Sequence, residues 1–176
     1  MSSSVVEPAA GRVACAAQSP LRAHVLRLRP GADLLTALRD YASREGLRAA
    51  CVLTCVGSLS RATLRYANQR AAAVREGPFE ICSLVGTLGV DAAPHLHASL
   101  SDGAGAMLGG HVLAGCTVFT TAEVVLGEAT AAVFDRPVDP ETSYDELRVV
   151  AAAGAGAAAE AAEARPIDSE LRDDLR

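Results

Sequence analysis

Residues 94–111 read PHLHASLSDGAGAMLGGH, and the alternation inside this stretch settles both the kind of element and the side of it that carries chemistry. In HLHASLSD (95–102), Leu96, Ala98 and Leu100 take every second position, and His95, His97, Ser99 and Ser101 take the positions between. Side chains two apart on an extended strand project from the same face. The period therefore predicts a half-buried β-strand with two imidazoles on its solvent side. A glycine-rich segment follows, in which the chain can double back, and it delivers a third histidine, His111. Three of the chain's 4 histidines thus fall in one stretch. Neutral imidazole is the commonest protein ligand for a transition metal. One reading is a three-histidine metal site. The other is a set of polar groups on the wet face of an edge strand, with a histidine in a turn and no ion.

Three imidazoles on a zinc-like ion leave one coordination position free for water or a small-molecule ligand. Such an ion polarises a carbonyl or generates hydroxide near neutral pH. Zinc is the first expectation, and other divalent transition metals share the ligand type. Structural zinc sites are usually closed by a fourth ligand, often cysteine, but the cysteines at 15, 51, 55, 82 and 116 fit no ribbon or CxxC spacing. Cys116 is displaced along the following strand. Glu123, in the otherwise apolar TTAEVV, is the one catalytic candidate. A carboxylate there needs a partner: it orients a ligating histidine, acts as a base, or pairs with an arginine across a subunit boundary. Asp102 opens the glycine turn and reads as turn-forming. Ser99 and Ser101 share the histidine face without a serine-nucleophile signature. The glycines of 103–110 lack both the strand–GxGxxG–helix context and a P-loop lysine, so they form no phosphate loop. Arg61 and Arg65 share one strand face, read as solvated or as part of an interface. Neither a substrate nor a reaction is legible, so an enzymatic role stays open.

Working outward, RAHVLRLR (22–29) alternates as a strand and puts His24 on its apolar side, the place of a core or edge histidine. Pro30-Gly31 ends it. A helix is predicted over Asp33–Glu45, with Asp33 as cap, Leu34, Leu35, Leu38, Tyr41 and Ala42 as one stripe, and Gly46 at its C-terminus. Residues 49–56 are continuously apolar, as in a strand covered on both faces. Gly57-Ser58 reads as a turn, 59–66 as a strand, 67–78 as a loop, and 79–88, 117–127 and 130–136 as further strands. DPETSYDEL (139–147) reads as a polar, partly helical exit. The sum is about seven strands and one definite helix: an α+β domain over 21–150 with a mostly antiparallel sheet. Residues 1–20 read as a loose arm, and 151–176 as an alanine-rich, acidic, low-complexity tail.

Half of the chain is hydrophobic, yet much of that is alanine, with only 3 tyrosines, 3 phenylalanines and no tryptophan. Subunit contacts are expected to complete such a core. All 16 basic residues are arginine, and the net charge is −5. An acidic chain lacks the electrostatic footprint of a nucleic-acid binder, so direct nucleic-acid contact is not expected. No apolar run of about 18 residues predicts a membrane span. The cysteines read as reduced thiols, and MSSSVVEPAAG lacks the basic and apolar parts of a secretory signal. An intracellular, cytoplasmic location is expected, with nucleus and organelle left open.

The order of motifs resembles the plants-and-prokaryotes conserved (PPC) domain. The carrying segments are HVLRLRPGADLLTALRDYA (24–42), VGSLSRATLRY (56–66), GPFEICSLVGTLG (77–89), PHLHASLSD (94–102), GGHVLAGCTVFTTAEVVL (109–126) and FDRPVDPETSYDEL (134–147). The resemblance implies an antiparallel sheet flanked by helices and assembled as a homotrimer. In plants it implies attachment to AT-hook segments of nuclear DNA-binding proteins, where the domain mediates assembly and partner contacts. This chain has no Arg-Gly-Arg-Pro hook. It is more similar to stand-alone prokaryotic members carrying the H-x-H strand and the Gly-Gly-His turn. In that branch His95, His97 and His111 correspond to a metal site close to a subunit contact.

Overall fold

A computed structural model describes residues 13–152. The first residues of the expected arm and the expected tail past residue 152 lie outside the described residues. The alternating segment forms β4 (His95–Ser101), with Leu96 and Leu100 fully buried and the histidines on the opposite face. It pairs antiparallel with β3 (Ala73–Leu88) on one edge and β5 (Met107–Val112) on the other. β3 also pairs with β2 (Ala50–Arg65), whose other edge carries β6 (Thr117–Ala129). β1 (Leu21–Leu28) borders β6, giving the order β1-β6-β2-β3-β4-β5. β5 pairs a second time, with the far end of β2, through Leu64↔Val112 and Arg65↔His111. Strands β2 to β5 thereby form a closed ring. A separate hairpin joins β7 (Ala132–Asp135) to β8 (Arg148–Ala151).

The inner face of the six-stranded sheet is covered by α1 (Leu34–Glu45). Leu34, Leu38 and Ala42 enter one cluster with Leu59, Leu96 and Val124. Burying each leucine contributes about 2–3 kcal/mol. Asp33 does two jobs at the helix start: Oδ1 accepts from Thr36 N at 2.8 Å, and Oδ2 accepts from Gly115 N at 2.6 Å. The cap thus also ties the helix to the turn before β6. Gly46 caps the other end.

Several expectations are corrected. Residues 49–56 and 59–66 are parts of one strand, β2. Gly57 makes no turn there: at φ 141° it sits in an irregularity of the β2–β6 ladder. A Cβ on it would lie 2.1 Å from Thr121 O. The expected loop 67–78 ends early, since β3 begins at Ala73. β5 and β8 are additional strands, so the described residues hold eight rather than seven, and a single helix rather than several flanks the sheet. Residues 139–147 are turns, not partly helical. Asp139 Oδ1 organises them by accepting from the backbone N–H groups of Glu141 and Thr142. The second cover over 49–56 is not supplied by the described residues: Leu53 and Val56 are 51% and 56% exposed. His24 takes the core-edge place read for it. Its Nδ1 lies 3.1 Å from Tyr41 Oη, and its Nε2 lies 3.5 Å from Glu128.

Replacing Asp33 with alanine removes both the cap and the Gly115 tether, and is expected to cost about 1–3 kcal/mol. Urea unfolding measures this, and a midpoint equal to wild type would show the carboxylate to be idle.

Candidate metal centre

Strand parity and register bring the three histidines together. His95 and His97 stand two apart on the outer face of β4. His97 and His111 are direct cross-strand partners on β4 and β5. Opposed side chains of an antiparallel pair start about 5 Å apart at Cβ. The ring centroids lie 5.1 Å apart for His95–His97, 5.1 Å for His95–His111 and 5.5 Å for His97–His111. One ring nitrogen from each lies within 4.8 Å of the others. Close backbone approach makes this geometry available. A Cβ on Gly110 would lie 2.8 Å from Arg65 O, so only glycine lets β5 settle between β4 and the end of β2.

The donor set fits a metal ion. Zinc–imidazole bonds of about 2.0–2.1 Å at tetrahedral angles separate two nitrogens by about 3.3 Å, and His95 Nε2 and His97 Nε2 are 3.2 Å apart. His111 Nδ1 is buried and has no hydrogen-bond partner. Burial first, then the guanidinium of Arg65 and the neighbouring imidazoles, pull the pKa of His111 down to about 4. Burial, followed by the charge of Arg136, also lowers that of His95. Neutral imidazole is the form that ligates, so neither group needs to lose a proton at neutral pH.

The trio opens into a cleft of about 970 Å³. Ser99 lies in its wall, as its shared face with the histidines requires, and Ser101 does not. Arg65, read as part of a solvated or interface face, stands in the wall because β5 pairs with the end of β2; Arg61 instead pairs with Glu76 at 3.5 Å. Tyr66 and Tyr144 also line the cleft, and Arg136 acts on His95 from the start of the β7–β8 connection. No local spacing signals Arg136 or Tyr144, which reach the site through the hairpin. Asp102 forms the turn predicted for it, with Oδ1 accepting from Ala104 and Ala106 N. Cys116 is buried against Thr63, away from the histidines. Glu123 is exposed on β6, level with Arg27 and Val56, with β2 and β3 lying between it and β4. Within one chain it does not join the trio.

A family model for the Plants and Prokaryotes Conserved domain matches residues 15–130. The chain belongs to that family. Bifunctional protein GlmU of Synechococcus sp. (strain JA-3-3Ab) is 43% identical over 80% of this chain and 22% of that protein. AT-hook motif nuclear-localized protein 27 of Arabidopsis thaliana is 36% identical over 66% of this chain and 42% of that protein. The PPC chain therefore spans about a fifth to two fifths of these curated relatives. Among solved structures, a hypothetical protein from Salmonella cholerae-suis superposes with a TM-score of 0.75 at 43% identity, covering 77% of this chain and 97% of its own. The metal-containing protein AF0104 from Archaeoglobus fulgidus superposes with a TM-score of 0.63 at 26% identity, covering 74% and 96%. The antiparallel PPC-type fold is thus shared.

In metal-free protein His111 is expected to stay neutral down to about pH 4. Its C2–H resonance should titrate there, and a midpoint near the ordinary 6.5 would contradict the geometry. The unfolded chain binds this proton first, so His111 withdraws stability as pH falls through 6.5 towards 4.

Proposed function

We propose that this PPC protein is a homotrimer in which His95, His97 and His111 hold zinc or another divalent transition metal, with a coordination position left for a small molecule. The observation that carries the reading is the convergence of three imidazole nitrogens within 4.8 Å. The metal-containing relative from Archaeoglobus fulgidus supports it. When bound, the ion would supply Lewis-acid chemistry, polarising a carbonyl or acidifying water. The chain's own part is orientation. β4 and β5 fix the three rings, and Arg65, Tyr66 and Tyr144 wall the approach.

The trimer reading rests on the outer sheet face. Val25 (80% exposed), Leu53, Val56 and Phe119 are exposed apolar side chains on β1, β6 and β2, interrupted by Arg27 and Glu123 in the row of Val56. Gly127, Cys51, Thr87 and His95 form one cross-strand row, which places the histidines on that same face. A second copy covering the apolar part would stand beside the metal site.

Protein purified without a histidine tag is expected to contain close to one metal ion per chain by elemental analysis. A His95→Ala/His97→Ala variant should contain almost none, and equal, low contents in both would end the metal reading. Sedimentation at micromolar concentration should give three times the 18.0 kDa chain mass, and a monomer would end the trimer reading.

A second reading follows from the Arabidopsis relative: a DNA- or transcription-associated interaction module, acting mainly through protein contacts. The net charge of −5 argues against direct DNA binding. A titration with duplex DNA at physiological salt is expected to show no salt-dependent complex, and formation of one would favour the second reading.

A further inference from the structure

The charge pattern of the cleft departs from that of the chain. The protein carries 21 acidic residues against 16 basic ones, yet no aspartate or glutamate lines the cleft among the described residues, whereas Arg65 and Arg70 do. The three imidazoles add no negative charge, so an ion held by them keeps its full charge. Elsewhere among the described residues several arginines pair with carboxylates: Arg22 with Glu128, Arg48 with Asp91, Arg61 with Glu76 and Arg148 with Asp135. The Arg65 side chain has no hydrogen bond or ion pair among the described residues, although its backbone is locked opposite His111.

Arg136 supplies a second positive charge at the opposite end of the trio. Its Nη2 donates to Thr87 Oγ1 at 3.0 Å, and Nη1 donates to Asp145 O at 3.3 Å. Thr87 is the cross-strand neighbour of His95. The charge is therefore fixed beside His95, where Glu146 opposes it in part, and Arg136 Nε is buried with no hydrogen-bond partner. Guanidinium groups bind carboxylate and phosphate oxygens in a fork, with charge-assisted hydrogen bonds about twice as strong as neutral ones. An open cleft lined by a cation-binding trio and the unpaired Arg65, with no carboxylate in its wall, selects for negative charge.

We propose that the cleft binds a small molecule through an oxyanion group, carboxylate or phosphate, placed between the histidine trio and Arg65, with Arg136 holding the field at the far end. Tyr66 and Tyr144 would border the remainder of the ligand. This deepens the metal-site reading and rests on it for the ion, while the role of Arg65 is separable.

Isothermal titration of the oligomer as purified, with its metal content measured first, tests the proposal using oxalate, inorganic phosphate and uncharged oxamide at constant ionic strength. Oxalate, phosphate or both should bind, and oxamide should not. Arg65→Ala should weaken oxyanion binding about tenfold or more, with metal content unchanged, and Arg65→Lys should recover part of it. Arg61→Ala, on the same strand, should bind as wild type. Arg65→Gln serves if the alanine variant does not fold. Failure of both oxyanions to bind wild type, equal binding by wild type and Arg65→Ala, equal binding of oxamide, or loss of metal from Arg65→Ala would each overturn the proposal. If the wild type holds no metal, the metal reading fails alone: oxyanion binding that still depends on Arg65 would uphold the anion cleft, and its absence would overturn it.

Discussion

The structure around the site depends on a six-residue strand that is hydrogen-bonded on both edges. β5 lies between β4 and the far end of β2, and its register on each side is fixed by backbone pairs. The first pairing sets His111 opposite His97, and the second sets it opposite Arg65. A slip of one residue on β5 would send His111 to the other face of the sheet. Val112, fully buried, resists that slip, because the same move would expose it. Core packing and site geometry are therefore enforced by one register.

How much of this was legible follows from the period of each segment. HLHASLSD shows a clean alternation, and its reading survives: leucines inward, imidazoles outward. The helix at Leu34–Glu45 was legible because stripe, N-cap and C-cap agree within a dozen residues. β5 was not. MLGGHV has two central glycines, which weaken strand propensity and hide the alternation. Those glycines are there for backbone approach, a property of the partner strands that no local pattern records. Gly57 acts in the opposite sense: Gly57-Ser58 resembles a turn, yet β2 continues through it with an irregularity in the ladder.

The candidate site shows the same division. The histidines were found because two share a strand and the third ends the adjoining glycine turn. In the sequence Arg65 reads as part of a solvated or interface face, since its closeness to His111 arises only when β5 closes onto β2. Arg136 and Tyr144 come from the connection between β7 and β8, more than twenty residues past His111 in the chain. Glu123 stands out in the sequence as a carboxylate in an apolar strand, and its exposure on β6 removes the desolvation cost that would demand a partner.

One face of the sheet carries both the histidines and the uncovered apolar residues, and this has an energetic consequence. Leu53, Val56 and Phe119 are already about half buried, so full cover by a second copy would contribute about 1 kcal/mol for each, and somewhat more for Val25. The polar rows next to them would fall at the margin of the proposed contact, where side chains remain partly hydrated. Histidines and guanidiniums can keep access to small solutes there, yet stand in a lower effective dielectric than on an isolated surface. Unpaired charge is cheaper to hold at a rim than in a core and acts more strongly on a ligand than in bulk water. A trio at the rim of the proposed contact rather than within it would meet both conditions.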